Sequence, residues 1–311
     1  MSGPHIVALG GGHGLAASLS ALRLITDRIT AVVTVADNGG SSGRLRDEFD
    51  VLPPGDLRMA LSALCEDSEW GHIWRDVLQH RFAGDGPMGG HAVGNLLIVA
   101  LWELRDDPVV GLDLVGRLLN ARGRVLPMAA VPLSIEAQVR GADAADPQGI
   151  SHLVGQVAVA TTRGRVESVS LDPADPPAHP QTLHAVREAD WVSLGPGSWF
   201  TSVMPHLLVP ELRTALVESP ARKMLTLNVE HAGETAGFSA ANHLEVLAEH
   251  APELRLDVVL ADPRVIDDQR ALRRAAADMG ATVVVSEVAK AGRRGHHDTL
   301  RLAAAYRDII G

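Results

Sequence analysis

Residues 6–14 read Ile-Val-Ala-Leu-Gly-Gly-Gly-His-Gly, and residues 29–44 read Ile-Thr-Ala-Val-Val-Thr-Val-Ala-Asp-Asn-Gly-Gly-Ser-Ser-Gly-Arg. Each stretch is an apolar β-branched run that ends in glycines. Glycines at a strand end let backbone N–H groups converge on an anion with no Cβ in the way. Two such loops on neighbouring strands describe a phosphate-bearing ligand laid across the edge of a parallel sheet. Between them a helix is expected over about Leu15 to Leu24, with the second strand at Thr30–Val35. This βαβ unit implies a right-handed crossover.

The rhythm continues outward from this unit. A turn at Val51 to Asp56 leads into a helix from about Leu57, and Trp70 to Phe82 is helical, with Trp74, Val77 and Leu78 at helical spacing. The loop Gly84 to Gly94 opens an apolar helix, Leu96 to Leu104, and Val109 to Leu119 is another. From Leu133 to about Leu171, short alternating runs (156–159 and 166–169) suggest a β-rich insertion, bounded at 133–175 within a single domain of residues 1–311. Asp172 to Pro180 reads as a connector. A helix at Thr182–Glu188 follows, then strands Trp191–Leu194, Met224–Asn228, Leu256–Leu260 and Thr282–Val285. Helices are expected at Asn242–His250, at Ile266–Met279 and from Asp298. The fold class is α/β: a three-layer, doubly wound, mostly parallel Rossmann-like sheet with a small β-rich insertion.

Composition sets limits. Aromatic residues are 3% against 46% hydrophobic residues, so Leu, Val, Ile and Ala make the core. A formal net charge of −10 argues against a nucleic-acid partner, which needs a basic face. An anionic ligand is therefore held by local backbone dipoles and a few placed arginines. Cys65 is the only cysteine, which excludes an intrachain disulfide and a Cys-based zinc site and suits a small core residue. The N-terminus lacks a basic leader pattern, and the longest apolar stretch, Leu96 to Trp102, is too short to span a bilayer. A cytoplasmic homo-oligomer is expected.

Gly12-x-Gly14-x-x-Ala17, with Asp37 about twenty residues on, fits a dinucleotide fingerprint. Alone it also fits a tight turn that needs glycine only for packing. The second loop adds Asn38, Ser41, Ser42 and Arg44, donors an ordinary dinucleotide site does not require. Gly195-Pro196-Gly197-Ser198 with Thr201 and Ser202 ends another strand and is a candidate diphosphate cradle. His13, His91 and His231 lie in edge loops, and His91 is the best placed to meet a ligand. His296-His297 suits a surface cap. Asp37 and Asp56 either hold Mg²⁺ against ligand phosphates or cap helices and bind sugar or base groups.

Six segments together resemble one family: Gly-Gly-Gly-His-Gly-Leu (10–15), residues 33–46, Pro-Pro-Gly-Asp-Leu-Arg (53–58), Gly-His-Ala-Val-Gly-Asn-Leu-Leu (90–97), Gly-Pro-Gly-Ser-Trp-Phe-Thr-Ser (195–202) and Gly-Glu-Thr-Ala-Gly-Phe (233–238). They are similar to the YvcK group, the bacterial gluconeogenesis-factor proteins of the CofD-like superfamily. The resemblance covers nearly the whole chain and implies a Rossmann-like CofD fold. It also implies binding of UDP-activated sugars, notably UDP-N-acetylglucosamine, and a role in cell shape, cell-wall precursor control and gluconeogenic growth. No settled catalytic activity comes with that group.

The enzyme branch, 2-phospho-L-lactate transferase, uses Mg²⁺ held by carboxylates that match Asp37 and Asp56. That branch has a second acid where this chain has Asn38, which weighs against a transferase. The expected function is therefore a nucleotide-sugar-binding regulator, more readily non-catalytic than a transferase, with no certain cofactor beyond a Mg²⁺ option. Gly10, Gly11, Gly12, His13, Gly14, Asp37 and Asn38 are expected to receive the nucleoside. Gly195, Pro196, Gly197, Ser198, Thr201 and Ser202 are expected at the diphosphate. Ser41, Ser42, Arg44, His91, Asn95 and Asn228 complete the set. A Mg²⁺-dependent transferase is the alternative, and an NAD-dependent oxidoreductase rests on the glycine spacing alone.

Overall fold

The computed structural model describes residues 3–311. Ten strands form: β1 Ile6–Gly10, β2 Ile29–Val33, β3 Arg124–Pro127, β4 Ser134–Arg140, β5 Ile150–Val154, β6 Arg165–Asp172, β7 Trp191–Leu194, β8 Arg222–Thr226, β9 Val258–Ala261 and β10 Thr282–Val285. Seven of them build one parallel sheet in the order β10-β9-β8-β7-β1-β2-β3. β1, β2, β7 and β9 are buried at every position. Helices cover both faces of such strands, so they read as unbroken apolar runs instead of alternating ones.

The helices are α1 Gly12–Leu22, α2 Gly40–Phe49, α3 Pro54–Leu64, α4 Glu69–Gln79, α5 Val93–Glu103, α6 Pro108–Leu118, α7 Gln156–Thr161, α8 Pro180–Arg187, α9 Pro205–Leu208, α10 Pro210–Glu218, α11 Ala240–His250, α12 Gln269–Asp278 and α13 Thr299–Ile310. Strand order runs outward in one direction from β1 and in the other from β7. Right-handed crossovers then put α1 on one face and α10 on the other. On its face α1 packs between α3 and α13. The single tyrosine, Tyr306 of α13, is fully buried there, its hydroxyl 3.0 Å from that of Ser18 and 3.1 Å from that of Thr226.

Strands Trp191–Leu194 and Thr282–Val285 form as the sequence suggests. A three-stranded antiparallel sheet, β5-β4-β6, is the expected β-rich insertion. Part of the expectation is corrected. Residues 156–159 are helical, in α7, because Gly155 at φ +96 ends β5 and turns the chain so that Val159 is buried. β3 was not anticipated. It is a short edge strand ending in Pro127, a residue that sits in a sheet only where no ladder N–H is needed. Among the described residues, no helix is long and apolar enough to cross a membrane.

Candidate ligand-binding site

Strand order reverses between β1 and β7, so the loops that follow them flank the sheet's switch point, where open α/β folds place ligands. Gly10, Val33 and Leu194 end their strands at one level. The first loop is short, because α1 already begins at Gly12 with φ +55. Its glycines are demanded by contact. A Cβ on Gly14 would lie 2.3 Å from the Pro196 carbonyl oxygen, and one on Gly11 would lie 2.4 Å from Thr34 Oγ1 and 2.6 Å from Asp56 Oδ2. The first-turn N–H groups of α1 have no intrahelical acceptor and face this crevice with the positive end of the helix dipole. His13 is exposed at its mouth.

The second loop is half helix. α2 starts at Gly40, so Ser41, Ser42 and Gly43 form its buried first turn instead of an open loop. Asp37 folds back and accepts the Gly39 N–H at 2.8 Å. Asn38 turns outward to the insertion, where its Oδ1 accepts the Val157 N–H at 3.2 Å. A Cβ on Gly155 would collide with the Asn38 amide nitrogen, so Gly155 makes room for this latch. Ser41 is a hub: the Asn95 amide donates to its Oγ at 3.0 Å, the Ala92 N–H at 3.3 Å, and His91 Nδ1 lies 3.1 Å away. Arg44 donates to the Pro87 and Gly89 carbonyls at 3.1 and 2.9 Å and fixes the glycine-rich segment before α5. These polar residues tie α2, α5 and the 84–94 loop together.

Asp56 does not cap the helix it belongs to. Pro53 holds the cap position of α3, and Asp56 lies inside its first turn, buried. Its carboxylate accepts from Thr34 Oγ1 at 3.3 Å. Burial, and then the neighbouring Asp37 charge, raises its pKa from 3.8 to about 7, against the Gly12 N–H, the Thr34 hydroxyl and the Arg58 guanidinium, which favour the anion. Gly55 keeps the two acids close, since a Cβ there would touch Ser42 Oγ and lie 2.8 Å from Asp37 Oδ2. The N-termini of α1, α2 and α3 therefore converge around two carboxylates. No cluster of three His, Cys, Asp or Glu side chains suited to a metal exists among the described residues. Two carboxylates beside a ligand's phosphates do match what Mg²⁺ takes from a protein.

The third loop carries a residue the sequence reading missed. Glu234 is buried and accepts from Ser198 Oγ at 2.5 Å and from the Trp199 N–H at 2.9 Å, while Thr201 Oγ1 lies 2.5 Å from Ser198 Oγ. Burial pushes its pKa up, against those hydrogen bonds. Asn228 clamps Gly197, accepting its N–H at 2.9 Å and donating to its carbonyl at 2.8 Å. Much of the donor capacity of 195–202 is thus spent inside the protein. The signal for Glu234 was present in the Gly-Glu-Thr-Ala-Gly-Phe motif, but nothing in its spacing pairs it with Ser198.

The histidines diverge. His91 is buried on Ser41, and burial and then Arg44 lower its pKa. His231 lies with its ring 5.1 Å from that of His243 and its Nε2 3.1 Å from the Val265 carbonyl. His297 is turned beneath the surface with Nε2 3.3 Å from the Leu227 carbonyl, and Asp298 caps α13 in its place.

Residues 6–299 match the family model described as 2-phospho-L-lactate transferase CofD. A protein named "Putative gluconeogenesis factor" from Mycobacterium tuberculosis is 54% identical over 96% of this chain and 88% of its own length. The gluconeogenesis factor of Bacillus subtilis is 36% identical over 86% of this chain and 81% of its own. A crystal structure of a UPF0052-family protein from Bacillus halodurans superposes with a TM-score of 0.87 at 31% identity, covering 98% of this chain and 99% of that one.

Proposed function

The chain belongs to the CofD family, and from that premise we propose that it is a gluconeogenesis-factor-type regulator that binds a nucleotide sugar of the UDP-N-acetylglucosamine class. The observation that carries this reading is the crevice at the β1/β7 reversal, where three helix N-termini meet and α1 offers the unspent backbone N–H groups of His13 and Gly14. The ligand's phosphates lie on the first turn of α1, between Gly11 and Gly14. Asp37 takes a ribose or sugar hydroxyl, and the 195–202 loop, held by Asn228, closes over the ligand. In this reading cell-wall precursor supply is the quantity sensed.

Asn38 favours sensing over transfer. It stands where a transferase needs a second acid, and its amide is engaged by the insertion. The Asp37–Asp56 pair keeps a second reading open, a Mg²⁺-dependent transferase in which both carboxylates bind the ion against the substrate's phosphates.

Calorimetric titration of UDP-N-acetylglucosamine, GDP and NAD, each with and without Mg²⁺, separates these readings. Binding of the UDP-sugar that is indifferent to Mg²⁺ and leaves the ligand intact supports the regulator. Mg²⁺-dependent binding with turnover that Asp37→Asn abolishes would replace it with the transferase. Binding of NAD alone would remove both.

A further inference from the structure

We propose that a groove on the outer face of α1, α3 and α4 is a second anion-binding site, taking a small compound with two or more phosphate groups. The groove is about 600 Å³, within the range of small-molecule sites. One wall is the α1 face that carries His13 and Arg23. The facing wall presents Arg58 and Ser62 of α3 and Arg75 of α4, with Arg81 just beyond. Four guanidiniums and an imidazole line one cleft in a chain of net charge −10.

Among the described residues, three of the four guanidiniums form no ion pair, although Asp56 and Asp37 lie near enough to Arg58 to act on its charge. Only Arg75 forms an ion pair among the described residues, with the exposed Asp76 at 3.0 Å. The nearby acids face elsewhere: Glu66 accepts from Ser68 at 3.0 Å, and Asp67 pairs with His72 at 2.7 Å. Arg58 donates to Asn95 Oδ1 at 2.8 Å and to Gln79, both neutral. Two buried polar atoms on the groove, Arg23 Nε and Ser62 Oγ, have no hydrogen-bond partner. Buried donors of this kind are normally satisfied, and phosphate oxygens would satisfy both.

The groove adjoins the switch-point crevice at His13, but Arg23, Ser62 and Arg75 lie outside that crevice, so the inference does not rest on the nucleotide-sugar reading. The test is calorimetric titration of the full chain with pyrophosphate and with tripolyphosphate at fixed ionic strength. A binding event that depends on Arg23 and Arg75 is expected, with tripolyphosphate the tighter ligand. Arg75→Gln and Arg23→Gln should each weaken it at least about tenfold, the scale of losing one charge-assisted bond. Arg23 also donates to the Cys65 carbonyl. Among the described residues the Arg75 side chain hydrogen-bonds only to the exposed Asp76, so R75Q reports on the groove with little burden on the fold. If both variants bind tripolyphosphate like the parent protein, or the parent gives no heat up to about millimolar ligand, the inference is overturned.

Discussion

Asp56→Asn replaces a buried acid by its neutral isostere, and the structure fixes the sign of the effect. The carboxyl titrates at 3.8 when unfolded and near 7 when folded. Well below pH 4 both states hold the proton and the acid makes no difference. As pH rises from 4 to 7 the unfolded chain has released its proton and the folded chain has not, so stability falls through that window and levels off above it. A rise from 3.8 to about 7, at about 1.4 kcal/mol for each tenfold, amounts to about 4 kcal/mol. Asn keeps an oxygen for the Gly12 N–H and the Thr34 hydroxyl but carries no charge. The stability of D56N minus that of the parent should therefore climb by about 4 kcal/mol between pH 4 and 8. Urea unfolding of both proteins across that range measures it, because other titrating groups cancel in the difference. A difference that stays flat within about 1 kcal/mol would refute the burial argument and leave Asp56 ionised in the folded protein.

Gly14→Ala should cost about 2 kcal/mol in urea unfolding, although alanine is the better helix former, because its Cβ meets the Pro196 carbonyl oxygen at 2.3 Å and the Gly197 Cα at 2.5 Å, backbone that cannot rotate away. Equal or greater stability would mean that the two loops are not in contact. His206 is fully buried with Nε2 3.1 Å from the Val32 carbonyl and a pKa lowered from 6.5 to about 4, chiefly by burial. Its folded form resists protonation, so stability should fall as pH drops from 6.5 towards 4, by up to about 3 kcal/mol, and His206→Gln should flatten that limb of the profile.

The parallel strands β1 and β2 were legible because Ile6–Gly10 and Ile29–Val33 are covered on both faces, and that burial writes itself into sequence as unbroken apolar runs. β3 was not legible, since four residues ending in Pro127 give no such run. Gln156–Thr161 misled for a related reason: Val157 and Val159 alternate as in a strand, and only the positive φ of Gly155 selects a helix. In the site, Gly10–Gly14, Asp37 and Asp56 could be read because strand-end glycines and acids are local signals. The partners of Ser41 and Asn38 lie 54 and 119 residues away along the chain. Glu234 lies 36 residues from Ser198. A single sequence carries no trace of such pairings.

Those distant pairings bear on where an anion can sit. Both loops at the switch point end in glycines, and on spacing alone either could cradle phosphates. In the β7 loop the Gly197 N–H is taken by Asn228, the Trp199 N–H and the Ser198 hydroxyl by Glu234, and the Thr201 hydroxyl pairs with that of Ser198. An anion there would displace satisfied donors and approach a carboxyl group. In the β1 loop the Gly12 N–H goes to Asp56 but the next two N–H groups of α1 stay free, and Asp56, whose charge would oppose an anion, is raised to about 7 and so is substantially protonated near neutral pH. An arriving phosphate would raise that pKa further, whereas Mg²⁺ would lower it and drive the proton off. Ligand binding near pH 6.5 should therefore take up protons if the phosphate arrives alone and release them if it arrives with the metal. Calorimetry in two buffers of different ionisation enthalpy reads that sign directly. Proton release that requires Mg²⁺ would mark the acid pair as metal ligands and refute a metal-free phosphate site on α1.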